Sequence, residues 1–276
     1  MHFLYYFYLV ASAALLLILN NFFEIFSKEY SFWLVPVLFI GFVLAFIILQ
    51  LLTVVVMVWT TSLKKEAKKC SRFFRELATA TVQLFVKVAR IKINTENTEE
   101  MLDKSRHYLF VCNHQHDLDP VIIYNTFPDC EIGFIGKKEI YKTMPFIARA
   151  MHKLNSLPID RENDRAAAKT IVSAVKLLKS GTASIALFPE GYTSRTGELL
   201  PLRNGSLKVA MKASAPIAVC VLNNTRSIMK NLFRRKTVVE FRLLDVITRD
   251  RYENLTSTEL GNIIYEQMEK ALSEIR

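Results

Sequence analysis

The sequence contains few cysteines, and this scarcity excludes a small fold held together by disulfides. Four occur among 276 residues, and none belongs to a Cys-x-x-Cys pair of the kind that zinc sites and redox motifs use. They are scattered along the chain as Cys70, Cys112, Cys130 and Cys220. Free thiols of this kind predict a domain in a reducing compartment that faces the cytosol.

Two further absences argue against a serine hydrolase and against a two-metal hydrolase. No Gly-x-Ser-x-Gly segment occurs, so the nucleophile elbow of the α/β-hydrolases is missing. His114 and His116 resemble the start of a two-metal hydrolase motif, His-x-His-x-Asp-His. However, Leu118 and Asp119 stand where its aspartate and its last histidine belong. We therefore expect no bound metal.

Charge is nearly absent from the first sixty residues, although 22% of the whole chain is charged and its net charge is +10. Residues 3–19 and 32–60 form two apolar runs. A membrane-spanning helix needs about 20 apolar residues, so the second run is long enough and the first is borderline. The first run also lacks the basic start of a signal peptide. We predict a transmembrane hairpin over residues 1–61.

Basic residues begin directly after the second run, which favours a membrane or a phosphorylated substrate over nucleic acid as partner. They are Lys64, Lys65, Lys68, Lys69, Arg72 and Arg75. Because positive residues stay on the cytoplasmic side, everything after about Thr61 should face the cytosol. Apolar residues recur among them at helical spacing, at Leu63, Ala67, Cys70, Phe74 and Leu77. Residues 62–92 thus predict a basic amphipathic helix on anionic headgroups, with a solvated helix on the main domain as the alternative.

Short apolar runs alternate with helical patterns in residues 93–276, without a repeat or a second domain boundary. Strands are predicted at 108–112, 132–135, 184–188, 217–221 and 238–244. A helix over 165–178 should begin with Asp164 as its N-cap, and a last helix should start at Thr256, with Glu259 completing a capping box. These residues therefore predict a cytosolic α/β domain with a mixed, largely parallel sheet flanked by helices.

A histidine and an aspartate follow the first predicted strand of this domain, and active-site groups in open α/β sheets lie just past the carboxyl ends of strands. A carboxylate that accepts one imidazole N–H leaves the other nitrogen free to take a proton. We predict that His114 and Asp119 face each other across a tight loop, although Asp119 could instead be a plain helix N-cap. We interpret His116 as a polar loop residue and Cys112 as a core residue of the strand.

Other strand ends carry groups that suit a phosphate. Strand 184–188 leads into Glu190 and Gly191 and then into a hydroxyl-rich loop. Basic residues that follow strand ends are Lys137, Arg161 and Arg195. Several cations should therefore converge beside His114. Alternatively, the hydroxyl-rich loop could be a plain surface turn, and Arg161 could form a surface ion pair.

Together these motifs resemble the glycerolipid acyltransferases typified by 1-acyl-sn-glycerol-3-phosphate acyltransferase. The resemblance covers about residues 108–221 and follows the family's motif order. The first motif, Asn-His-x4-Asp, is matched by Asn113, His114 and Asp119, and the second, an arginine after a short strand, by Arg161. The third, Phe-Pro-Glu-Gly-Thr-Arg, is matched by residues 188–191, and the fourth, a Pro-containing strand, by Pro216. Tyr192 and Thr193 depart from the third motif, and Arg195 is the candidate for its missing cation.

The resemblance implies an O-acyltransferase of phospholipid biosynthesis that acylates the sn-2 hydroxyl of 1-acylglycerol-3-phosphate, with acyl-CoA or acyl carrier protein as donor and no further cofactor. His114 would be the general base and Asp119 would orient it. The acceptor would be bound by Lys137, Arg161, Glu190, Gly191 and Arg195. Partners would be a phospholipid membrane, a lysophospholipid and a thioester.

Three other possibilities stay open at this point. The acceptor could be glycerol-3-phosphate or another lysophospholipid, or the chain could be an inactive lipid-binding membrane protein. For location we favour a bacterial cytoplasmic membrane, with the endoplasmic reticulum second.

Overall fold

Two long apolar helices precede an α/β domain in the computed structural model, which describes residues 3–63, 69–98, 101–103, 105–194 and 196–275. The strands are β1 (Ile91–Glu96), β2 (Leu109–Cys112), β3 (Ile132–Lys137), β4 (Leu157–Ile159), β5 (Ser184–Leu187), β6 (Ile217–Asn223) and β7 (Thr237–Ile247). The helices are α1 (Phe3–Phe23), α2 (Ser31–Trp59), α3 (Arg72–Val88), α4 (Asp119–Thr126), α5 (Lys138–Thr143), α6 (Pro145–Lys153), α7 (Asp164–Lys179), α8 (Lys208–Ala213), α9 (Ser227–Asn231), α10 (Arg249–Tyr252) and α11 (Ser257–Ile275).

The strands form one seven-stranded sheet in the order β1-β7-β6-β2-β5-β3-β4. Five strands, from β6 to β4, run parallel to one another, while β7 is antiparallel to β6 and parallel to β1. The predicted mixed, largely parallel sheet is confirmed, and each of the five predicted strands is present. The carboxyl ends of the five parallel strands lie at the same edge of the sheet, with β2 near its centre.

Both faces of the sheet are covered, as a parallel sheet requires. Alternate side chains of β2 point to opposite faces. Phe110 belongs to a core with Ile122 of α4 and Val86 of α3. Leu109 and Val111 belong to a second core with side chains from α7, α8 and α11. The short strand β2 is therefore fully buried.

The helix ends agree with the predictions except at one cap. Helix α7 covers the predicted helix 165–178, but its N-cap is Asn163, whose side chain accepts the N–H of Ala166 at 3.0 Å. The prediction of Asp164 as N-cap was therefore wrong by one residue, since asparagine and aspartate both suit that position. The predicted capping box is present, because Thr256 Oγ1 accepts the N–H of Glu259 and Glu259 Oε2 accepts the N–H of Thr256.

Helices α1 and α2 pack against each other and are long and apolar enough to cross a membrane by length and composition. Residues 25–27 form a single 3₁₀ turn between them. Polar groups tie the pair to α3. The hydroxyl of Tyr8 donates to Gln50 at 2.9 Å, and the amide of Gln50 donates to Thr81 Oγ1 at 3.1 Å. A large apolar surface stays exposed on α2, including Phe32, Trp33, Ile40, Leu44 and Ile48.

Helix α3 differs from the predicted amphipathic helix in where it begins. Ser71 caps it by accepting the N–H of Phe74 at 3.3 Å, and Cys70 lies outside the helix. The basic residues Lys64, Lys65 and Lys68 lie outside the described residues. Phe74 and Ala78 of α3 pack against Val58 of α2, while Phe73 is exposed. One face of α3 is thus buried against the apolar pair, and contact with headgroups remains a prediction.

Candidate active site

His114 and Asp119 face each other at the carboxyl end of β2. Nδ1 of His114 lies 2.8 Å from Oδ2 of Asp119. Both side chains are buried, with Asp119 fully inaccessible. In a neutral imidazole, this contact favours the tautomer that carries its proton on Nδ1 and leaves Nε2 unprotonated.

The Asp119 carboxylate is itself held in place by the loop that precedes it. Its Oδ2 accepts the backbone N–H of Gln115 at 2.6 Å and of His116 at 2.8 Å. Both donors lie before α4, so Asp119 does not cap that helix, and the alternative reading as an N-cap is not observed. Nδ1 of His116 accepts the N–H of Leu118 at 3.1 Å, which agrees with its interpretation as a loop residue.

The segment after β5 holds His114 from the other side. The ring of Phe188 stacks on the imidazole, with centroids 4.2 Å apart and planes 16° from parallel. The N–H of His114 donates to Glu190 Oε1, and its carbonyl accepts the N–H of Ser194 at 2.8 Å. The ring and the backbone of His114 are therefore both fixed by residues of the third sequence motif.

Glu190 is buried and has both carboxylate oxygens occupied by backbone N–H groups. Oε1 accepts from His114 at 2.5 Å and Oε2 accepts from Leu200 at 2.8 Å. Burial raises the pKa of Glu190 from 4.5 to about 7, against the opposing effect of these hydrogen bonds. The carboxylate thus joins the loops that follow β2 and β5, rather than facing either cavity described below.

Residues in contact with this pair line two cavities, whereas His114 and Asp119 themselves line neither. The first, of about 550 Å³, has apolar walls that include Ile135, Ile159 and Leu187, and also contains Phe188 and Gly191. The second, of about 750 Å³, is lined by polar and basic side chains: Gln115, His116, Lys137, Tyr192, Thr193, Ser194, Thr196 and Arg226, with Leu200. Adjacent residues 191 and 192 therefore line different cavities.

The basic residues predicted for the site are divided between these cavities. Arg161, which follows β4, lines the first cavity together with Arg203. Lys137, at the end of β3, lines the second. The neighbouring Lys138 instead forms a 2.8 Å salt bridge with Asp160. Arg195 lies outside the described residues, so its prediction as a phosphate ligand is untested.

Cys112 does not act as an accessible nucleophile in this arrangement. Its side chain is buried in β2, and burial raises the pKa of the thiol well above its usual range. A protonated, inaccessible thiol is inert, since the thiolate is the reactive species. The interpretation of Cys112 as a core residue agrees with this burial.

Comparison with known proteins identifies the relatives of this site. Residues 90–223 match the family model described as Acyltransferase. The 1-acyl-sn-glycerol-3-phosphate acyltransferase of Borreliella burgdorferi is 30% identical over 204 residues, covering 71% of this chain and 78% of that protein. The chain belongs to the glycerolipid acyltransferase family. Its resemblance to that family is therefore confirmed, and the chain is an acyltransferase.

Other relatives agree with this assignment. The 1-acyl-sn-glycerol-3-phosphate acyltransferase of Saccharomyces cerevisiae is 30% identical over 186 residues, covering 64% of this chain and 59% of that protein. The crystal structure of the 1-acyl-sn-glycerophosphate (LPA) acyltransferase from Thermotoga maritima matches with a TM-score of 0.61 and 20% identity, over 81% of this chain and 87% of that one. At that identity the structural match concerns the fold.

Four basic residues of the acyltransferase's cavities were missed by the sequence reasoning: Arg203, Lys208 and Lys212 in the first cavity and Arg226 in the second. Arg203 lies in an irregular segment whose backbone N–H donates to the carbonyl of Pro189 at 2.7 Å. Arg226 directly precedes α9 and lines the second cavity. None of the four residues ends a predicted strand. The available signal was only their basic character near the third and fourth motifs.

Proposed function

We propose that this acyltransferase transfers an acyl group from a thioester to the sn-2 hydroxyl of 1-acylglycerol-3-phosphate, forming phosphatidic acid. The observation that carries the proposal is the buried His114–Asp119 pair, 2.8 Å apart, whose contacting residues line two cavities with cationic side chains. The names of the relatives favour this acceptor. The pair supplies a base, and the cavities offer space for two substrates.

His114 acts as general base in this proposal. Nε2 removes the proton from the acceptor hydroxyl as its oxygen attacks the thioester carbonyl, and Asp119 stabilises the resulting imidazolium. The C–O bond forms, the C–S bond breaks, and the proton on His114 passes to the departing thiolate. A thioester is already an activated acyl group, so the reaction requires no acyl-enzyme intermediate. The buried Cys112 and the absent nucleophile elbow agree with direct transfer.

The cations of the two cavities bind the anionic substrates. Arg161 in the first cavity and Lys137 in the second are alternative candidate ligands of the acceptor phosphate, and Arg195 is a further candidate. Gly191 shapes the wall of the first cavity. Glu190 acts at a distance from the substrate, because its two oxygens are engaged with backbone N–H groups. The donor is acyl-CoA or acyl carrier protein.

Helices α1 and α2 are proposed to anchor the enzyme where its acceptor resides. Their exposed apolar surface suits lipid, and at about 1.5 Å per residue α2 is roughly 40 Å long, enough to span a hydrocarbon core. The basic residues after Thr61 favour a catalytic domain in the cytosol. In a bacterium, the membrane would be the cytoplasmic one. Sodium carbonate should leave the protein in the pellet, and extraction without detergent would contradict an integral anchor.

The test of the reaction is a substrate panel with purified full-length protein in detergent. Radiolabelled acyl-CoA is combined with 1-acylglycerol-3-phosphate, glycerol-3-phosphate or other lysophospholipids, and the acylated position is determined. We expect sn-2 acylation of 1-acylglycerol-3-phosphate by the wild type. His114→Ala should be slower by about 10²–10⁴-fold or more. Normal transfer by His114→Ala would reject the mechanism.

The same panel separates the alternatives. Preferred acylation of glycerol-3-phosphate, or of a lysophospholipid with another head group, would replace the proposed acceptor while keeping the chemistry. Lipid binding without turnover in the wild type would instead indicate a protein that has lost catalysis. Acyl carrier protein thioesters, used in parallel with acyl-CoA, identify the donor.

A further inference from the structure

We propose that Arg161 and Arg203 form a two-guanidinium site for a phosphate monoester, assembled on the ring of Tyr192. The inference deepens the proposed function and rests on it, since it assigns phosphate recognition to a residue outside the four family motifs. Arg203 would touch the phosphate, and Tyr192 would position both guanidinium groups.

The ring of Tyr192 contacts both arginines. The guanidinium carbon of Arg161 lies 5.5 Å from the ring centroid and that of Arg203 lies 5.0 Å from it. Arginine planes stack on aromatic faces, and such contacts restrict the directions in which their N–H groups point. The third family motif has threonine at this position, so the clamp is a feature of this chain.

The two guanidinium groups contact the same ring, and the nearby carboxylates of Glu139 and Asp164 form no salt bridge with either. Among the described residues neither forms a salt bridge, and Nη1 of Arg161 is buried without a hydrogen-bond acceptor. Burial and the proximity of Arg203 lower the pKa of the Arg161 guanidinium. Buried charged donors are normally paired, so the unpaired Nη1 of Arg161 indicates a missing anion, and the exposed guanidinium of Arg203 is open to the same anion.

Gly191 permits the approach of Arg203. Its φ of +78° lies in the left-handed region, and a Cβ on this residue would lie 2.8 Å from Nε of Arg203. A side chain at residue 191 would therefore be strained and would displace the guanidinium. The turn that presents Tyr192 thus also leaves room for its second cation.

The surrounding cavity fits a phosphate attached to an apolar chain. Lys208 and Lys212 line it together with the two arginines, against the single carboxylate of Asp164. Its other walls are largely aliphatic, from Ile135, Ile159, Ala167, Ala168, Ile171, Val172 and Leu187. A phosphate monoester carries up to two negative charges and accepts several N–H bonds, which suits two planar guanidinium groups. Both the acceptor and the 3′-phosphate of coenzyme A offer such a group.

The test measures KM separately for 1-acylglycerol-3-phosphate and for acyl-CoA in Arg203→Met. Loss of a charge-assisted bond to the phosphate should raise the KM of one substrate about tenfold or more, with a smaller change in kcat. Arg106→Met is the matched control, because Arg106 is exposed and precedes β2 at the opposite edge of the sheet. Tyr192→Thr, which removes the ring, should raise the same KM more than Tyr192→Phe does.

The substrate whose KM rises identifies the phosphate. If it is the donor, acyl-dephospho-CoA should have the same KM with wild type and Arg203→Met. If it is the acceptor, the acceptor KM should still rise about tenfold in Arg203→Met when acyl-dephospho-CoA is the donor. Unchanged KM values for both substrates in Arg203→Met, as in Arg106→Met, would overturn the inference.

A binding measurement separates this inference from the proposed function. Inorganic phosphate should raise the Tm of the wild-type protein in detergent more than that of Arg203→Met, because it relieves the repulsion between the two guanidinium groups. If Arg203→Met does not fold, Arg203→Lys takes its place, since it keeps one charge but loses the planar fork. A wild type without turnover would refute the function, whereas equal Tm shifts in wild type and variant would refute the anion site.

Discussion

Replacing Glu190 with glutamine tests whether this residue holds His114 in position. The wild-type carboxylate accepts two backbone N–H groups, from His114 at 2.5 Å and Leu200 at 2.8 Å. Glutamine has nearly the same shape but only one acceptor oxygen, so its NH₂ group must face one of these donors. The variant should therefore leave one N–H without a partner in a buried site.

The structure sets the size of the expected effect. An unsatisfied buried donor costs about 1–3 kcal/mol. If the loop of His114 moves to avoid this cost, the same energy is added to the activation barrier, which corresponds to roughly a five- to 150-fold fall in kcat. The KM for the acceptor should change little, because both carboxylate oxygens of Glu190 are engaged with backbone N–H groups.

The pH dependence of stability gives an independent measure. The folded-state pKa of Glu190, about 7, lies above its unfolded value of 4.5, so the folded protein holds the proton more tightly. The resulting stabilisation is fully present below pH 4.5 and is lost as the pH rises through 7. Across that window the wild type should lose up to about 3 kcal/mol relative to Glu190→Gln, which does not titrate.

The assay combines steady-state kinetics at saturating donor with thermal unfolding in detergent between pH 4.5 and 8. Glu190→Asp is the control, since it keeps the charge but shortens the reach to His114. An acceptor KM that rises at least tenfold with kcat unchanged in Glu190→Gln would refute the positioning role. A difference in unfolding free energy that does not vary with pH would refute the raised pKa.

Three further predictions concern neighbouring groups. Asp119→Asn should slow acyl transfer by orders of magnitude with little loss of folded protein, because asparagine can hold the wrong tautomer of His114. A near-normal kcat in this variant would argue against the orienting role of Asp119. Cys112→Ser should keep activity in the folded fraction, and chelators should not inhibit; inhibition by a chelator would indicate a metal site. Gly191→Ala should lower stability by about 1–3 kcal/mol through its left-handed backbone and displace Arg203, which a rise in KM and a fall in Tm would reveal.

The sheet and the His–Asp contact could be predicted because both are local in the sequence. Buried parallel strands are short apolar runs, and His114 and Asp119 are separated by only five positions, so one tight loop brings them together. Strand β1 was missed, since its pattern over Ile91–Glu96 is only partly buried and contains polar residues. Edge strands of this kind have a weaker apolar signal.

The anion site could not be predicted, because it depends on contacts that are distant in sequence. Arg161 and Arg203 are 42 positions apart and meet only through Tyr192. Residue 203 lies in an irregular segment, and a side chain there has no periodicity that would indicate its direction. Sequence reasoning assigned Glu190 to substrate because of its motif, whereas the two backbone N–H bonds that occupy it appear only in the folded chain.

The arrangement explains why the first and third motifs occur together. His114 needs an imidazole of fixed orientation, and its own loop supplies only the Asp119 carboxylate. The remaining constraints come from the segment after β5. The ring of Phe188 stacks on the imidazole, the carboxylate of Glu190 accepts the backbone N–H of His114, and the N–H of Ser194 donates to the backbone carbonyl of His114. Because β5 is the direct neighbour of β2, both loops leave the sheet at the same edge. The same turn carries Gly191 and Tyr192, so a single segment couples the position of the base to the site of the cations.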